Sequence, residues 1–410
     1  MGLVAALALA ASLCGCGPRE ANVPDRTSSD APVTLVLATD LHYISPAICD
    51  NGEAFHTAVQ NGDGKTMYYI QEIMEAFVAE MTALAPDAVI LSGDLTFSGA
   101  KASHRDLAEL LGKLEEAGVP VLAIPGNHDL DSTSALSFSG ESWSQVESVT
   151  AQEFAQLYAP FGPEEAVSKD ERSLSYVYAP RKDLRVLMVD ANGGGWNSLP
   201  DETMEWVETQ LKNAKRAGAG VVAVSHQNLD IHNPVFSWGY QMVQGDQLRT
   251  LYEKYGVLCN LSGHLHIQHI TDRPLPDIAT SALSICPNQY GVLTYDNKEL
   301  TYETRVLDVS GWAAEQGLTD PNLLDFTSYS KDFMIETARA KQQSRLEAQG
   351  TGAAEAQARA ETFATLNAVY FAGDPIDPAD YDIDPDDRYL KSVLQDAGRD
   401  HHRWRLDLES

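Results

Sequence analysis

The sequence predicts an α/β fold in which sheet is covered by helices, with a helical module added at the C-terminus. Three observations carry that expectation. From Pro32 onward, short runs rich in Val, Leu and Ile alternate with amphipathic helical patterns; between residues 278 and 306 further β-like segments follow one another without helices; beyond about Thr319 the composition turns to Ala, Gln, Glu and Arg. At 410 residues the chain exceeds the size at which a single core usually stops growing, so one large domain and a smaller second one are expected.

Taken in order, Met1 to Leu13 is an apolar run too short to span a bilayer and is followed by small residues, which reads as the core of a signal peptide over residues 1–15. Leu13-Cys14-Gly15-Cys16 resembles a bacterial lipobox. Cys16 is then the expected lipidation site, and the chain is expected to be extracytoplasmic and tied to a bacterial membrane by that lipid. The Pro-, Asn-, Ser-, Thr- and Asp-rich residues that follow suggest a tether over 16–32. Strands are expected at Val33 to Thr39, Ala88 to Ser92, Val121 to Ile124, Leu184 to Val189, Val221 to Ser225 and Val257 to Leu261. Between them, Ile70, Ile73, Met74, Phe77 and Met81 fall on one helical face, as do Leu107, Leu110, Leu111 and Leu114. Ile278 to Leu283, Val292 to Tyr295 and Leu300 to Val306 suggest a second, more antiparallel edge or sheet. Phe363, Leu366 and Tyr370 lie at helical spacing, so residues 319–410 are expected to form a helical module. The Pro- and Asp-rich run Asp374 to Asp387 lacks the Gly and Glu of a calcium loop and reads as a solvated interhelical connection.

A formal net charge of -30 repels polyanions and argues against long nucleic acid as a partner. A small phosphate ester stays compatible with that charge if a local cationic centre overrides the mean field. Only Cys49, Cys259 and Cys286 follow Cys16, too few for a disulfide framework and without zinc-ligand spacing. Nothing in the sequence speaks to the oligomeric state.

Metal-binding residue types recur where the expected strands end. Asp40-Leu41-His42 follows the first, Gly93-Asp94 the second and Gly126-Asn127-His128-Asp129 the third; His226 closes a later strand and Gly263-His264-Leu265-His266 the next. In open α/β sheets such residues converge beyond the carboxyl ends of the strands. A two-metal site needs one carboxylate to bridge the cations, with imidazoles and an amide oxygen completing each shell without excess negative charge. Asp94 is suited to bridge. In an extended Gly-His-Leu-His segment, His264 and His266 would point to one side and Leu265 to the core.

The ordered set of Asp-x-His, Gly-Asp, Gly-Asn-His-Asp, His and Gly-His-x-His resembles the calcineurin-like metallophosphoesterase superfamily over residues 33–306. The resemblance implies a two-sheet sandwich flanked by helices, with residues 33–318 as the catalytic domain. It implies that Asp40, His42, Asp94 and His266 hold one metal, and that Asp94, Asn127, His226 and His264 hold the other. Mixed N and O donors favour Mn, Fe or Zn. Two such cations would turn water into the attacking hydroxide and clamp the phosphoryl oxygens. His128 would protonate the leaving oxygen or stabilise the developing charge, with Asp129 holding its imidazole in place.

Ser92-Gly93-Asp94-Leu95-Thr96, Ser103-His104, Gly-Asn-His-Asp-Leu and the helical tail look like the bacterial cyclic-nucleotide phosphodiesterase-type branch, lipoprotein forms included. The implied activity is hydrolysis of small phosphodiesters, cyclic nucleotides among them. A phosphomonoesterase or nucleotidase, and a ligand-binding lipoprotein without turnover, are the alternatives. His104 is expected at a helix cap or the surface, His56 at the surface of an insert from Tyr43 to Lys65 that forms a rim, and His232, Trp238 and Tyr240 in a loop that either packs or stacks on a substrate.

Overall fold

The computed structural model describes residues 31–409. The apolar start, Cys16 and the tether up to residue 30 lie outside the described residues. Fifteen strands are formed: β1 (Val33–Ala38), β2 (Ala88–Leu91), β3 (Val121–Ala123), β4 (Leu136–Ser139), β5 (Ser142–Gln145), β6 (Ser168–Lys169), β7 (Tyr176–Arg181), β8 (Leu184–Val189), β9 (Gly220–Ser225), β10 (Cys259–Ser262), β11 (His269–Ile270), β12 (Asp277–Ala279), β13 (Gln289–Tyr295), β14 (Glu299–Val306) and β15 (Arg403–Asp407). One sheet has the order β15-β14-β13-β1-β2-β3, the other β11-β12-β10-β9-β8-β7-β6, and β4-β5 is a separate hairpin.

The two large sheets stack face to face, and residue alternation explains why. Leu35 and Leu37 of β1 join Ile90, Leu122, Val186, Met188, Val222, Val224 and Leu261 in one buried cluster between the sheets. The intervening Val36 and Ala38 point the other way, into a second cluster with Ile73, Met74, Phe77, Leu107, Leu111 and Leu114 of the helices Ile70–Leu84 and Lys101–Glu116. Leu187, Val189, Val221 and Ala223 do the same on the far side, against Val207, Leu211, Leu248 and Tyr252 of the helices Asp201–Ala217 and Gly245–Tyr255. Strands buried on both faces read as continuous apolar runs, and the result is a helix-sheet-sheet-helix sandwich. The helix Asp201–Ala217 also places Asp201 and Glu202 in its first turn and Lys215 and Arg216 in its last, matching its dipole.

Two expectations change and one is narrowed. Of the antiparallel edge or sheet expected after residue 277, the chain forms an edge. β12 runs parallel to β10 in the second sheet, whereas β13 and β14 extend the first sheet antiparallel from β1. The segment expected to reach Leu283 ends at Ala279, because the chain turns there to meet the loop after β1, with the Leu283 N–H donating to the Thr39 carbonyl at 3.0 Å. The C-terminal region is also not purely helical. The helices Phe326–Ala348 and Ala353–Ala372 form an antiparallel hairpin, and the helix Arg388–Val393 follows, but β15 then returns to pair with β14 as the edge of the first sheet. Leu265 and Ile267 pack with Leu366, Tyr370 and Leu390, so the module is docked on the segment that follows β10.

Candidate metal centre

The loops after β1, β2, β3, β9 and β10 meet at the carboxyl ends of these parallel strands, and main-chain hydrogen bonds stitch them together. Asp40 N–H donates to Gly93 O at 3.1 Å, His42 N–H to Asp94 O at 2.9 Å and Gly263 N–H to His226 O at 3.0 Å. Gly126 lies so close to the loop after β2 that an added Cβ would stand 2.2 Å from both Asp94 N and Asp94 Oδ1. No larger residue fits there.

All seven expected ligands come together. Asp40, His42, Asp94 and His266 form one group whose donor atoms all lie within 4.8 Å of one another, and Asp94, His226 and His264 form a second that shares Asp94. Within the first, His266 Nε2 is 3.2 Å from Asp40 Oδ1 and 3.3 Å from His42 Nε2. Within the second, His226 Nε2 is 3.3 Å from Asp94 Oδ1 and 3.1 Å from Asn127 Oδ1. His226 Nδ1 donates to the Ser92 carbonyl at 3.0 Å, which turns Nε2 toward the site.

The donors suit cations better than they suit one another. Asp40 Oδ2 accepts from Thr39 Oγ1 and from the His264 N–H, whereas the buried Oδ1 is answered only by the ion-pair contact with His266 Nε2. A carboxylate oxygen at zero exposure with so little hydrogen bonding is costly unless a cation answers it. Burial opposes charge on His226, yet the Asp94 carboxylate overrides it and lifts the imidazole to about 9. Burial and Lys65 oppose charge on His266, and Asp40 and Asp63 lift it to about 9 as well. Burial and the neighbouring His226 instead push His264 down to about 4. The two buried carboxylates thus draw positive charge into the site, as a cation pair would require.

Backbone strain concentrates at the same place. Asp40, His42, Asp94, His264 and His266 have φ of 53°, 48°, 47°, 66° and 61° and account for half of the ten non-glycine residues with positive φ among those described. Residues held in this region cost energy that the surrounding fold must overcome, and such strain clusters at functional sites. It also corrects the expectation for Gly263-His264-Leu265-His266. β10 ends at Ser262, and the two histidines face the site through left-handed turns rather than through extended alternation, although Leu265 is buried as expected.

His128 stands at the mouth with 48% of its side chain exposed and its Nε2 3.9 Å from Asp94 Oδ2. Asp129 does not hold it. The fully buried Asp129 carboxylate accepts from the N–H groups of Leu95, Thr96 and Gly126 at 2.8 to 3.0 Å and from Thr96 Oγ1 at 3.0 Å. It braces the loop that carries Asp94.

His104 is neither cap nor surface. It is fully buried in the helix Lys101–Glu116, with Nδ1 2.9 Å from Tyr158 Oη and Nε2 3.1 Å from the Asp129 carbonyl. His56 is exposed, against Tyr68 Oη at 2.7 Å. The loop after His226 divides: His232 is buried beside Asp277 and His269, Trp238 is 82% exposed with its ring 4.8 Å from that of Trp196, and Tyr240 lies against the His264 ring. The motif reading missed Asp63, whose Oδ2 is 2.6 Å from His266 Nδ1. A lone Asp in an insert carries no motif, so no pattern in the chain marks it.

A third group, His269, Asp396 and His401, lies outside the centre. Three of its four ring nitrogens are already engaged: His269 bonds Asp396 at 2.6 Å and His232 at 2.9 Å, and His401 Nδ1 accepts from the Ile270 N–H at 3.1 Å.

Comparison with known proteins decides the family, since the family model described as calcineurin-like phosphoesterase matches residues 33–268. The chain belongs to the calcineurin-like phosphoesterase family. Residues 308–400 of this phosphoesterase match a second model, the C-terminal domain of cyclic nucleotide phosphodiesterase. A glycerophosphodiester phosphodiesterase, GpdQ, from Enterobacter lignolyticus (strain SCF1) is 26% identical over 206 residues, which are 48% of this chain and 61% of that relative's length. Among solved structures, a dimetal phosphatase from Danio rerio is 12% identical with a TM-score of 0.47, covering 67% of this chain and 96% of its own. GAP50, the anchor in the inner membrane complex of Plasmodium, is 12% identical with a TM-score of 0.40, covering 67% and 84%. Family membership implies divalent metal ions, and the two groups around Asp94 offer the donors for them.

Proposed function

We propose that this phosphoesterase hydrolyses small phosphodiesters at a pair of transition-metal cations. Asp40, His42, Asp94 and His266 would hold one, and Asp94, Asn127, His226 and His264 the other. The single observation that carries the proposal is the sharing of Asp94 by two groups of buried donors, which is what a bridging carboxylate requires. When bound, the cations supply Lewis-acid charge for the phosphoryl oxygens and activation of water.

The chain's own residues do the rest. Asp94, held by the His128 N–H on Oδ1 at 2.9 Å, keeps its carboxylate between the two groups. His128 reaches the same carboxylate from the solvent side, where a leaving alkoxide would emerge, and its imidazole is placed to donate a proton there. Trp196, Trp238 and Tyr240 border the second group through Gly239, whose carbonyl is 2.9 Å from His264 Nε2. Diesters are favoured over monoesters by the C-terminal match and by the named relative. Cyclic nucleotides are the substrates to try first. Mn, Fe and Zn fit the mixed N and O donors.

The test is turnover of bis-p-nitrophenyl phosphate, p-nitrophenyl phosphate and cyclic nucleotides by protein stripped of metal and then resupplied with Mn, Fe or Zn. The proposal predicts diesterase activity that vanishes on stripping and returns with the metal. Full diesterase activity in the stripped protein contradicts it.

A further inference from the structure

Three of the four imidazoles at the centre are oriented by a hydrogen bond from the ring nitrogen away from the other donors, His42 Nδ1 being without one, and the partners differ. His226 and His264 are held by main-chain carbonyls, those of Ser92 and Gly239. His266 instead rests on a side chain from a distant loop: its Nδ1 donates to Asp63 Oδ2 at 2.6 Å, and Asp63 Oδ1 accepts from Lys65 Nζ at 2.7 Å. A carboxylate on Nδ1 fixes the orientation of the ring and leaves Nε2 facing Asp40 Oδ1 and His42 Nε2, free to give up its proton to a cation there. With φ at 61°, the main chain of His266 sits in a sparsely populated region and benefits from that outside hold.

The loop that carries Asp63 is in turn held by the C-terminal hairpin. Lys341 of the helix Phe326–Ala348 donates through Nζ to the carbonyls of Asn61 and Gly62, both at 3.0 Å. Gly64 lies against Met334 of the same helix, where an added Cβ would stand 3.0 Å from Met334 Cγ. On the other side, Thr66 N–H donates to the Ser284 carbonyl at 2.8 Å. The loop is therefore pinned between the C-terminal helix and the segment that follows β12.

We propose that Asp63 is a positioning residue for the metal ligand His266, and that the C-terminal hairpin serves the centre by clamping the 61–65 loop through Lys341 and Met334. The proposal rests on the reading of the centre given above. It assigns the C-terminal module a mechanical task at the site, distinct from substrate contact or from docking a partner.

The experiment titrates Co2+ into full-length, metal-stripped protein, following calorimetry and the visible absorption of bound Co2+. Wild type, Asp63→Asn, Asp63→Glu and Lys341→Ala are compared, with circular dichroism and Tm recorded for each. Asp63→Asn is expected to keep one wild-type affinity and to bind the other ion about 10- to 100-fold more weakly, with an altered Co2+ spectrum. Asp63→Glu, which keeps the charge, is expected to recover part of that loss. Lys341→Ala is expected to weaken the same step by a smaller factor at unchanged Tm. Two wild-type affinities and an unaltered spectrum in Asp63→Asn would overturn the role of Asp63, and wild-type binding in Lys341→Ala would overturn the clamp. Should Asp63→Asn fail to fold, Asp63→Ser takes its place, and both wild-type affinities with an unaltered spectrum in that variant would count as the overturning result. If wild-type protein takes up no Co2+ at all, the reading of the centre fails, and that outcome is separate from both.

Discussion

His128 and Asp129 are neighbours in sequence with opposite tasks. His128 is half exposed at the mouth of the centre, whereas Asp129 is buried behind it and ties Leu95, Thr96 and Gly126 together. His128→Ala is therefore expected to retain both metals and slow turnover about 100-fold or more, checked by steady-state kinetics beside metal analysis. Asp129→Ala should act on stability first. It strands three buried N–H donors, and an unsatisfied donor costs about 1–3 kcal/mol, so a loss of at least about 2 kcal/mol is expected in urea unfolding. A variant with wild-type stability and reduced turnover would restore the role that the motif suggested. The seven candidate ligands were legible because each sits in a short block after an apolar run. Asp63 was not, since its partnership with His266 spans about two hundred residues and only the folded chain brings the two together.

At the scale of elements, strands buried on both faces were easy to read. β1, β2, β3, β8 and β9 are near-continuous apolar runs, β10 carries Asn260 and Ser262 among its apolar residues, and the expected limits of all six fall within two residues of the observed ones. Pairing was harder. β13 leaves its sequence neighbour β12 and joins β1, and nothing in an isolated strand states its partner. β15 was hidden for a different reason: Arg403-Trp404-Arg405-Leu406-Asp407 alternates polar and apolar residues as an edge strand does, but it follows a long stretch of helical composition. The approach to β15 carries a pH dependence. Burial, with His269 and Arg399 nearby, holds His401 down to about 3, while its Nδ1 accepts from Ile270 N–H. An unfolded histidine titrates near 6.5, so the unfolded chain binds the proton first as pH falls. This contribution to stability is complete above that value and is lost as pH drops toward about 3. Urea midpoints measured from pH 7 to pH 4 should fall more steeply in wild type than in His401→Asn, and parallel profiles would contradict the assignment.

For the molecule as a whole, the chemistry depends on reversing a charge. The chain carries a net -30, yet the substrate we propose is an anion. The fold resolves this by packing two buried carboxylates and four imidazoles at the ends of parallel strands, where cations can concentrate positive charge within a few ångströms. The C-terminal region then belongs to the same body rather than trailing from it. It supplies the edge strand of the first sheet, covers Leu265 and Ile267 beside His264 and His266, and hydrogen-bonds through Lys341 to the loop that carries Asp63. The sequence boundary near residue 319 marks a change of composition, and packing continues across it. The measurement closest to the central claim is a count of metal ions per chain by mass spectrometry of purified wild type and Asp94→Asn. An amide cannot bridge two cations as a carboxylate does, so the account predicts two ions in wild type, with both metal and activity lost in the variant. Equal metal content and equal turnover in the two proteins would contradict it.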